Sequence, residues 1–365
     1  MPLQERILTD SAQVLLIGNG PGQAPQMEDA LCIRFNGRQQ LSGTRAMTVF
    51  NGKLAREYLA NPADAAAIDH TRSTGHKNKH HSLSNLKEQW EFGRPQAEPA
   101  LGSERHFALR ADGADAKDMA LLGDLSRVAQ RQERILGAWP SSGFAVLGCL
   151  YGQAGLKVHV CQMNLLPSLI RAPELNGRMP LAAAFHNWLG ERRLAMAWLF
   201  GKGSDHAVID WPDFWLPAPR SQAPDMWLPP IKTCPFEALA QLEHCSKAEG
   251  RKLWQQLAGT NTNQWLEAYS GDPDSFENGS RAQASYGNGS GNKDSGLNKL
   301  IAAERLFVLP RDAQETSLWW LYDNEVSVWV SQVHYTLAWL WQTLSLRSRG
   351  LAAPDSVMAL PGSPR

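Results

Sequence analysis

The chain has 365 residues, of which 43% are hydrophobic, and its 36 basic residues balance its 36 acidic ones. This length suits one large domain or two ordinary ones, and two are expected here. A net charge of zero creates no overall field that would attract nucleic acid or an anionic membrane, so no nucleic-acid partner is expected.

The cysteines and the first residues indicate the cellular compartment. The five cysteines are odd in number, widely spaced and lack a CxxC pair, which argues against a disulfide framework and a zinc ribbon. The first ten residues, MPLQERILTD, carry charges where a signal peptide needs an apolar stretch. No uncharged apolar run reaches the roughly 18 residues of a membrane span. The sequence therefore predicts a cytoplasmic protein.

Short apolar runs in the first half predict strands. They lie at residues 13–18, 30–35 and 46–50, and the first breaks into the glycine-rich turn NGPG. Residues 70–106 are polar and predict a mobile loop. This pattern suggests an α/β fold with layers of helices and strands. In such folds, ligands bind at the carboxyl ends of the strands.

The chain then alternates between helix and strand. Residues 118–136 have apolar side chains at helical spacing and predict an amphipathic helix that stops before Pro140. Residues 144–155 predict a buried helix, and residues 156–163 a strand. We therefore predict an α/β fold for the first domain.

The second half differs in composition, because twelve of the 14 tryptophans follow residue 180. A helix is expected around 236–257, and residues 270–297 are too polar to offset their ordering entropy, which predicts a disordered loop. A Trp-rich helical stretch follows at 317–346. The predicted domains are residues 1–200 and residues 201–365.

Short motifs occur in a fixed order along the first domain: IGNGPG at 17–22, IRFN at 33–36, PSSG at 140–143 and HNWLGE at 186–191. Together they resemble the motifs of the sialyltransferases, over roughly residues 13–200. The resemblance implies a Rossmann-like variant of the GT-A fold, a CMP-activated sugar donor and a reaction without a metal ion or other cofactor.

The first two motifs indicate a donor site. The resemblance assigns Gly18, Asn19 and Asn36 to contacts with CMP. Asparagine side chains offer both donors and acceptors, which suits a cytosine edge, a ribose or a phosphate. The third motif contributes Ser141, Ser142 and Gly143, because a helix that begins after Pro140 presents unpaired N–H groups to an anion.

The fourth motif supplies the catalytic residues. His186 is the expected base, since transfer to a sugar hydroxyl needs a proton acceptor poised near neutral pH. Glu191 lies five positions further and is expected to brace the site. The two side chains share one face only if His186 precedes the helix, with Asn187 as its N-cap.

The sequence departs from the animal sialyltransferases in several ways. It lacks cysteines at the positions of their conserved disulfide, and no N-terminal membrane anchor like theirs is expected. It also has no His-Tyr motif before the last block, so Arg171 is the expected source of positive charge for the leaving phosphate.

Other sequence patterns give only weak evidence for a dinucleotide-binding site or a metal site. Gly18, Gly20 and Gly22 do not form GxGxxG, and Arg38 stands where a dehydrogenase needs an acid. The triplet at 272–274 mimics a metal-binding DxD but falls in the predicted loop, and the lysine-rich surroundings of the histidines at 76–81 favour a solvated loop over a metal site.

We therefore expect transfer of an acidic 2-keto sugar, sialic acid or Kdo, from CMP to a glycan or lipid-linked acceptor of bacterial surface polysaccharide or lipopolysaccharide core. Two alternatives remain: a non-catalytic nucleotide-binding or regulatory module, and a metal-dependent transferase that uses a UDP-sugar. The Trp-rich stretch also allows peripheral contact with the inner membrane, although packing against the rest of the protein is the competing interpretation.

Overall fold

The computed structural model describes residues 12–20, 22–36, 45–60, 107–171, 182–201, 205–219, 228–269, 296–309 and 318–351. They divide into two compact units. The sheet unit takes its residues from 1–134, 140–164 and 198–214; the helical unit takes its residues from 135–139, 165–197 and 215–365. This division differs from a single boundary at residue 200, because the chain passes between the two units several times.

In the described part of the chain, six strands form one mixed sheet. They are β1 (Gln13–Ile17), β2 (Leu31–Phe35), β3 (Ala46–Asn51), β4 (Phe107–Asp112), β5 (Lys157–Cys161) and β6 (Val208–Asp210). Their order is β4-β3-β2-β1-β5-β6, and only the pairing of β4 with β3 is antiparallel. The predicted α/β class is confirmed, as are the strands β1, β2, β3 and β5; β4 and β6 were not predicted.

Burial explains why these apolar runs form strands. Every residue of β2 is buried, and β1 is buried from Val14 to Ile17. Strands covered on both faces read as continuous apolar runs, so the central strands of this sheet were the easiest to predict.

The helices of the sheet unit correct one prediction. They are α1 (Gly52–Ala60), α2 (Ala116–Ala120), α3 (Leu125–Leu136) and α4 (Ser142–Tyr151). The single helix expected over 118–136 is two helices, because Asp115 and Asp118 form a capping box that begins α2 early and a turn over 121–124 separates it from α3. The predicted buried helix is confirmed as α4. Gln132 of α3 packs beside it, and its side-chain amide donates to the Phe144 carbonyl at 3.3 Å.

The helical unit contains α5 (Trp188–Leu199), α6 (Pro235–Gln241), α7 (Lys247–Ala258), α8 (Thr262–Tyr269), α9 (Gly296–Arg305) and α10 (Ser327–Arg347). The helix expected over 236–257 is two helices, since a second capping box, Ser246 with Glu249, begins α7. The prediction of a disordered loop over residues 270–297 is wrong at its C-terminal end, because α9 already begins at Gly296. Residues 270–295 lie outside the described residues.

Tryptophans form much of the helical core. Trp254, Trp265, Trp320 and Trp341 are fully buried. Trp339 is also buried, and Trp319 and Trp329 are partly buried against the same core. Packing therefore accounts for the Trp-rich stretch, which is helical only from Ser327 apart from a 3-10 turn at Trp319–Leu321. Membrane contact stays a prediction.

Two further sequence features have a structural counterpart. All five cysteines are free thiols in the structure. None of the helices within the described ranges is long and apolar enough to cross a bilayer.

Candidate functional site

The carboxyl ends of three adjacent parallel strands each carry an asparagine. Asn19 follows β1 after Gly18, Asn36 follows β2 directly, and Asn51 is the last residue of β3. Because these strands are parallel neighbours, their ends meet at one edge of the sheet. The sequence analysis identified Asn19 and Asn36 but missed Asn51. Its position at the end of a predicted strand was the available signal.

Gly18 brings the turn after β1 against the turn after β5. Its N–H donates to the Cys161 carbonyl at 2.9 Å, and the Gly20 N–H donates to the Gln162 carbonyl at 2.8 Å. A Cβ at Gly18 would lie much closer to the Gln162 carbonyl oxygen than the sum of their van der Waals radii. Close packing of two turns is therefore sufficient reason for glycine at this position.

The backbone at this edge adopts unusual conformations. Asn36 has φ of 56° and Gln162 has φ of 53°, in the left-handed region that non-glycine residues seldom adopt. Such residues concentrate at functional sites, where the surrounding structure holds them in place. The Asn36 Oδ1 is buried and accepts no hydrogen bond from any described residue.

The beginning of α4 lies at the same edge. Ser141 is the N-cap and its Oγ accepts from the Phe144 N–H at 3.4 Å, while the Ser142 Oγ accepts from the Asn51 Nδ2. Within the described ranges, the N–H groups of Ser142 and Gly143 have no acceptor. The predicted helix start after Pro140 is confirmed.

Gly143 shows how closely α4 approaches the strand ends. A Cβ there would overlap the Met163 Sδ, beyond the end of β5, and would lie 3.8 Å from the Phe35 Cε2 at the end of β2. The two available N–H groups therefore lie beside the ends of β2, β3 and β5.

The side chain of Arg34, in the second motif, makes hydrogen bonds with the neighbouring strands of the sheet. Its Nε donates to the Thr48 Oγ1 at 3.0 Å and its Nη2 to the Asp112 Oδ2 at 3.2 Å. Burial alone would raise the pKa of Asp112, but hydrogen bonds from Thr48 and Arg110 lower it below its usual value. The carboxylate thus stays ionised and joins β2, β3 and β4 through their side chains.

His186 lies between a 3-10 turn, Ala182–Phe185, and α5. Its Nδ1 is 2.9 Å from the Trp139 carbonyl oxygen, which only accepts, so Nδ1 carries the proton and Nε2 keeps its lone pair. Burial lowers the pKa of His186, and the bond to the carbonyl opposes this to a smaller extent. The imidazole is therefore neutral at pH 7, which is the form required of a base.

The N-terminus of α5 agrees with the predicted arrangement. Asn187 caps the helix, because its Oδ1 accepts from the Gly190 N–H at 2.9 Å and its Nδ2 donates to the Leu136 carbonyl at 3.0 Å. His186 thus precedes the helix. Glu191 lies in the first turn with no solvent exposure, and its role as a brace stays a prediction.

Arg171 is buried in the helical unit. Its N–H donates to the Ser327 Oγ at 3.0 Å, and its Nη1 donates to the Leu321 carbonyl at 3.5 Å. Burial lowers the pKa of its guanidinium. These contacts join the segment before residue 172 to the beginning of α10, and contact with a phosphate stays a prediction.

The predicted site residues belong to different units. Gly18, Asn19, Asn36, Ser141, Ser142 and Gly143 lie in the sheet unit, whereas Arg171, His186 and Glu191 lie in the helical unit. The triplet at 272–274 and the histidines at 76–81 fall outside the described residues. Across the described ranges, no group of three His, Cys, Asp or Glu side chains could hold a metal ion.

Comparisons with known proteins give no further assignment: no family model, curated protein or solved structure matches this chain.

Proposed function

We propose that this protein is a glycosyltransferase that moves an acidic 2-keto sugar, sialic acid or Kdo, from its CMP donor to a glycan acceptor. The observation that carries the proposal is the set of three asparagines at the ends of β1, β2 and β3, next to the beginning of α4. The order of the four sequence motifs supports it independently.

The chemistry of the sheet edge suits a nucleotide monophosphate. Asn19 and Asn36 supply amide donors and acceptors that match a cytosine edge or a ribose without adding charge. The N–H groups of Ser142 and Gly143 supply donors to a phosphate or a sugar carboxylate. Donor binding of this kind needs no metal ion, because the backbone itself provides the partial positive charge.

The strand order supports the Rossmann-like, GT-A part of the proposal. From β1 the chain adds β2 and β3 on one side of the sheet and returns to add β5 and β6 on the other. Ligands of open α/β sheets bind outside the carboxyl ends of the strands, at the point where this order reverses. Gly18 and Gln162 follow the two strands that flank this point.

In the proposed reaction, the acceptor hydroxyl loses its proton to the Nε2 of His186 as its oxygen bonds to the anomeric carbon. The bond from that carbon to the CMP oxygen breaks, CMP leaves as the anion and the configuration inverts. The neutral state and tautomer of His186 support this role. Glu191 would hold His186 in position, and Arg171 would offset the charge of the leaving phosphate.

The test is a comparison of nucleotides by thermal shift. CMP should raise the melting temperature where UDP does not, and a hundredfold excess over Kd corresponds to about 2.7 kcal/mol of stabilisation. Replacing both Asn19 and Ser142 by Ala should weaken the CMP effect without unfolding the protein. Equal shifts with CMP and UDP, or an unchanged shift in the double variant, would contradict the proposed donor site.

A second candidate is a nucleotide-binding or regulatory module without catalysis. The surroundings of Arg171 favour it, since the guanidinium is buried in the helical unit and its Nη1 donates to the Leu321 carbonyl at 3.5 Å. Binding of CMP with no transfer, unaffected by changing His186, would support this alternative. If EDTA abolished an activity with a UDP-sugar, the protein would be a metal-dependent transferase instead.

The acceptor and the location of the protein are part of the same proposal. A surface polysaccharide or lipopolysaccharide core would be made at the inner membrane, so the protein would act in the cytoplasm and contact a lipid-linked acceptor there. Flotation with liposomes of bacterial lipids tests the membrane contact.

A further inference from the structure

The segment that follows β6 folds back on the sheet unit. It has the sequence Trp-Pro-Asp-Phe, and its last three residues, Pro212–Phe214, form a 3-10 turn. Proline at the start of such a turn already has the φ angle that the turn requires. The Phe214 N–H donates to the Trp211 carbonyl at 3.3 Å, and the two buried rings pack against each other. The buried rings therefore anchor this turn in the sheet unit.

Two side chains of this segment bind the backbone directly after β5. The Asp213 Oδ2 accepts from the Gln162 N–H at 2.8 Å, and the Trp211 Nε1 donates to the Met163 carbonyl. The backbone at the carboxyl end of β5 is therefore held by two side chains that lie about fifty positions later in the chain.

Gln162 extends these contacts to the turn after β1. Its carbonyl accepts from the Gly20 N–H at 2.8 Å, and its side-chain amide donates to the Gly22 carbonyl at 2.8 Å. Gln162 is buried, whereas Asn19, which directly precedes Gly20, is exposed. The position of Asn19 thus depends on a residue that lies on the neighbouring strand end.

The backbone of Gln162 needs support from its surroundings. Its φ of 53° lies in the left-handed region, which is unfavourable for a residue with a Cβ. Such a conformation persists only where surrounding contacts determine it. The bond from the Gln162 N–H to Asp213 is one of these contacts, so its loss should loosen Gln162 and, with it, the bond to Gly20.

We propose that Asp213 is a positioning residue of the candidate site at the sheet edge. It acts through Gln162, which holds the turn that presents Asn19. The functional part of this inference rests on the proposed donor site, where Asn19 contacts CMP. Asp213 itself does not touch the donor. It holds the turn in place before the donor binds, which lowers the entropic cost of binding.

Hydrogen–deuterium exchange of the whole protein without ligand tests the contact itself. Asp213→Ala removes the acceptor of the Gln162 N–H, so the Gly20 amide should exchange about 3- to 10-fold faster, the value of one hydrogen bond. Asp213→Asn keeps an oxygen that can accept from the same N–H, and it should restore the slow exchange of the wild-type protein.

Asp210→Ala is the matched control. The Asp210 Oδ2 lies 2.9 Å from the Nδ1 of His159, within β5, so this change removes a neighbouring carboxylate and leaves the bond to Gln162 intact. Exchange at Gly20 should stay as slow as in the wild-type protein. Unchanged exchange in a folded Asp213→Ala protein, no recovery in Asp213→Asn, or equal acceleration in Asp210→Ala overturns the proposal.

Circular dichroism and the melting temperature establish that each variant is folded. If Asp213→Ala fails to fold, Gln162→Gly decides in its place. Glycine accepts the left-handed φ without strain, so this change removes the side-chain bond to Gly22 and little else. Exchange at Gly20 should again be faster, and an unchanged rate would show that Gln162 does not hold the turn.

Titration with CMP connects the contact to the donor site. Asp213→Ala should weaken CMP binding by about 3- to 10-fold, and Asp213→Asn should bind CMP like the wild-type protein. A folded Asp213→Ala protein with faster exchange and unchanged CMP affinity overturns the positioning role. If the wild-type protein binds no CMP, the proposed donor site is wrong, and the exchange rates still decide whether Asp213 orders the turn.

Discussion

The Asn51 side-chain amide, at the end of β3, donates a hydrogen bond to the Ser142 hydroxyl in the first turn of α4. The two residues are 91 positions apart in the chain. This bond ties the helix start with the available N–H groups to the sheet edge with the three asparagines. It therefore positions the proposed donor site.

Replacing Asn51 and Ser142 by Ala, singly and together, tests this bond. Each single change should lower the affinity for CMP, because α4 loses an anchor at the edge. Urea unfolding of the four proteins should give a coupling free energy of about 0.5–1.5 kcal/mol between the two positions. Strictly additive effects on the free energy of unfolding would show that the bond contributes nothing.

Gly18→Ala should destabilise the protein strongly. The new methyl group would overlap the Gln162 carbonyl oxygen, which belongs to the backbone and has no rotamer to change. Overpacking of this kind costs about 1–3 kcal/mol or more. Urea unfolding measures the loss, and it should be accompanied by loss of any CMP-induced shift.

The control for that change is Gly152→Ala. Gly152 ends α4 with φ of −70°, and its nearest neighbour to a new Cβ is 3.7 Å away. The change should leave the protein as stable as before or increase stability by about 0.4–1 kcal/mol. Similar losses in both variants would show that the contact with Gln162 is not the cause.

His186→Ala should abolish transfer and retain CMP binding, since the proposed contacts with CMP are made by other residues. A positioned base contributes about 10²- to 10⁴-fold to a rate. The variant must first show an unchanged melting temperature and CMP affinity. Near wild-type transfer by such an intact variant would exclude His186 as the base.

The pH dependence of transfer gives a second measure of His186. Its pKa lies below the ordinary value of 6.5, because burial disfavours the imidazolium. A base acts in its neutral form, so at pH 6.5 more than half of the maximal rate should remain, and the rate should fall only at lower pH. A midpoint above 6.5 on the acid side of the profile of kcat/KM would contradict this assignment.

His334 should make the protein sensitive to acid. It is buried in α10 against Phe307, and burial together with the nearby Arg192 charge lowers its pKa to about 3. The unfolded chain therefore binds a proton between pH 6.5 and 3 that the folded protein excludes. The free energy of unfolding should fall as the pH drops through this window, by up to about 1.4 kcal/mol per pH unit.

His334→Gln should remove this contribution. Urea unfolding at pH 7 and pH 5 measures it as the difference between the losses in the wild-type protein and in the variant. An identical loss of stability in the wild-type protein and in the variant would mean that His334 is not the group responsible. Carboxylates or other histidines would then cause the acid sensitivity.

The sequence by itself determined the central strands and the buried helix α4. Most of their residues are apolar, so their burial is evident from composition alone. It also determined the beginnings of α4 and α5, because Pro140, Ser141 and Asn187 have local reasons to begin a helix. Helices at 118–136 and 236–257 were predicted without their interruptions, since apolar periodicity continues across a turn that only the caps reveal.

Only the tertiary structure decided which residues meet. The bond between Asn51 and Ser142, the approach of Gly18 to Gln162 and the ion pair of Lys247 with Asp323 all join residues far apart in the chain. The same holds for the environment of His186, whose proton position depends on the carbonyl of Trp139. Such contacts depend on how the helices and strands pack against one another. The pattern of residues along the chain does not show which distant residues will be in contact.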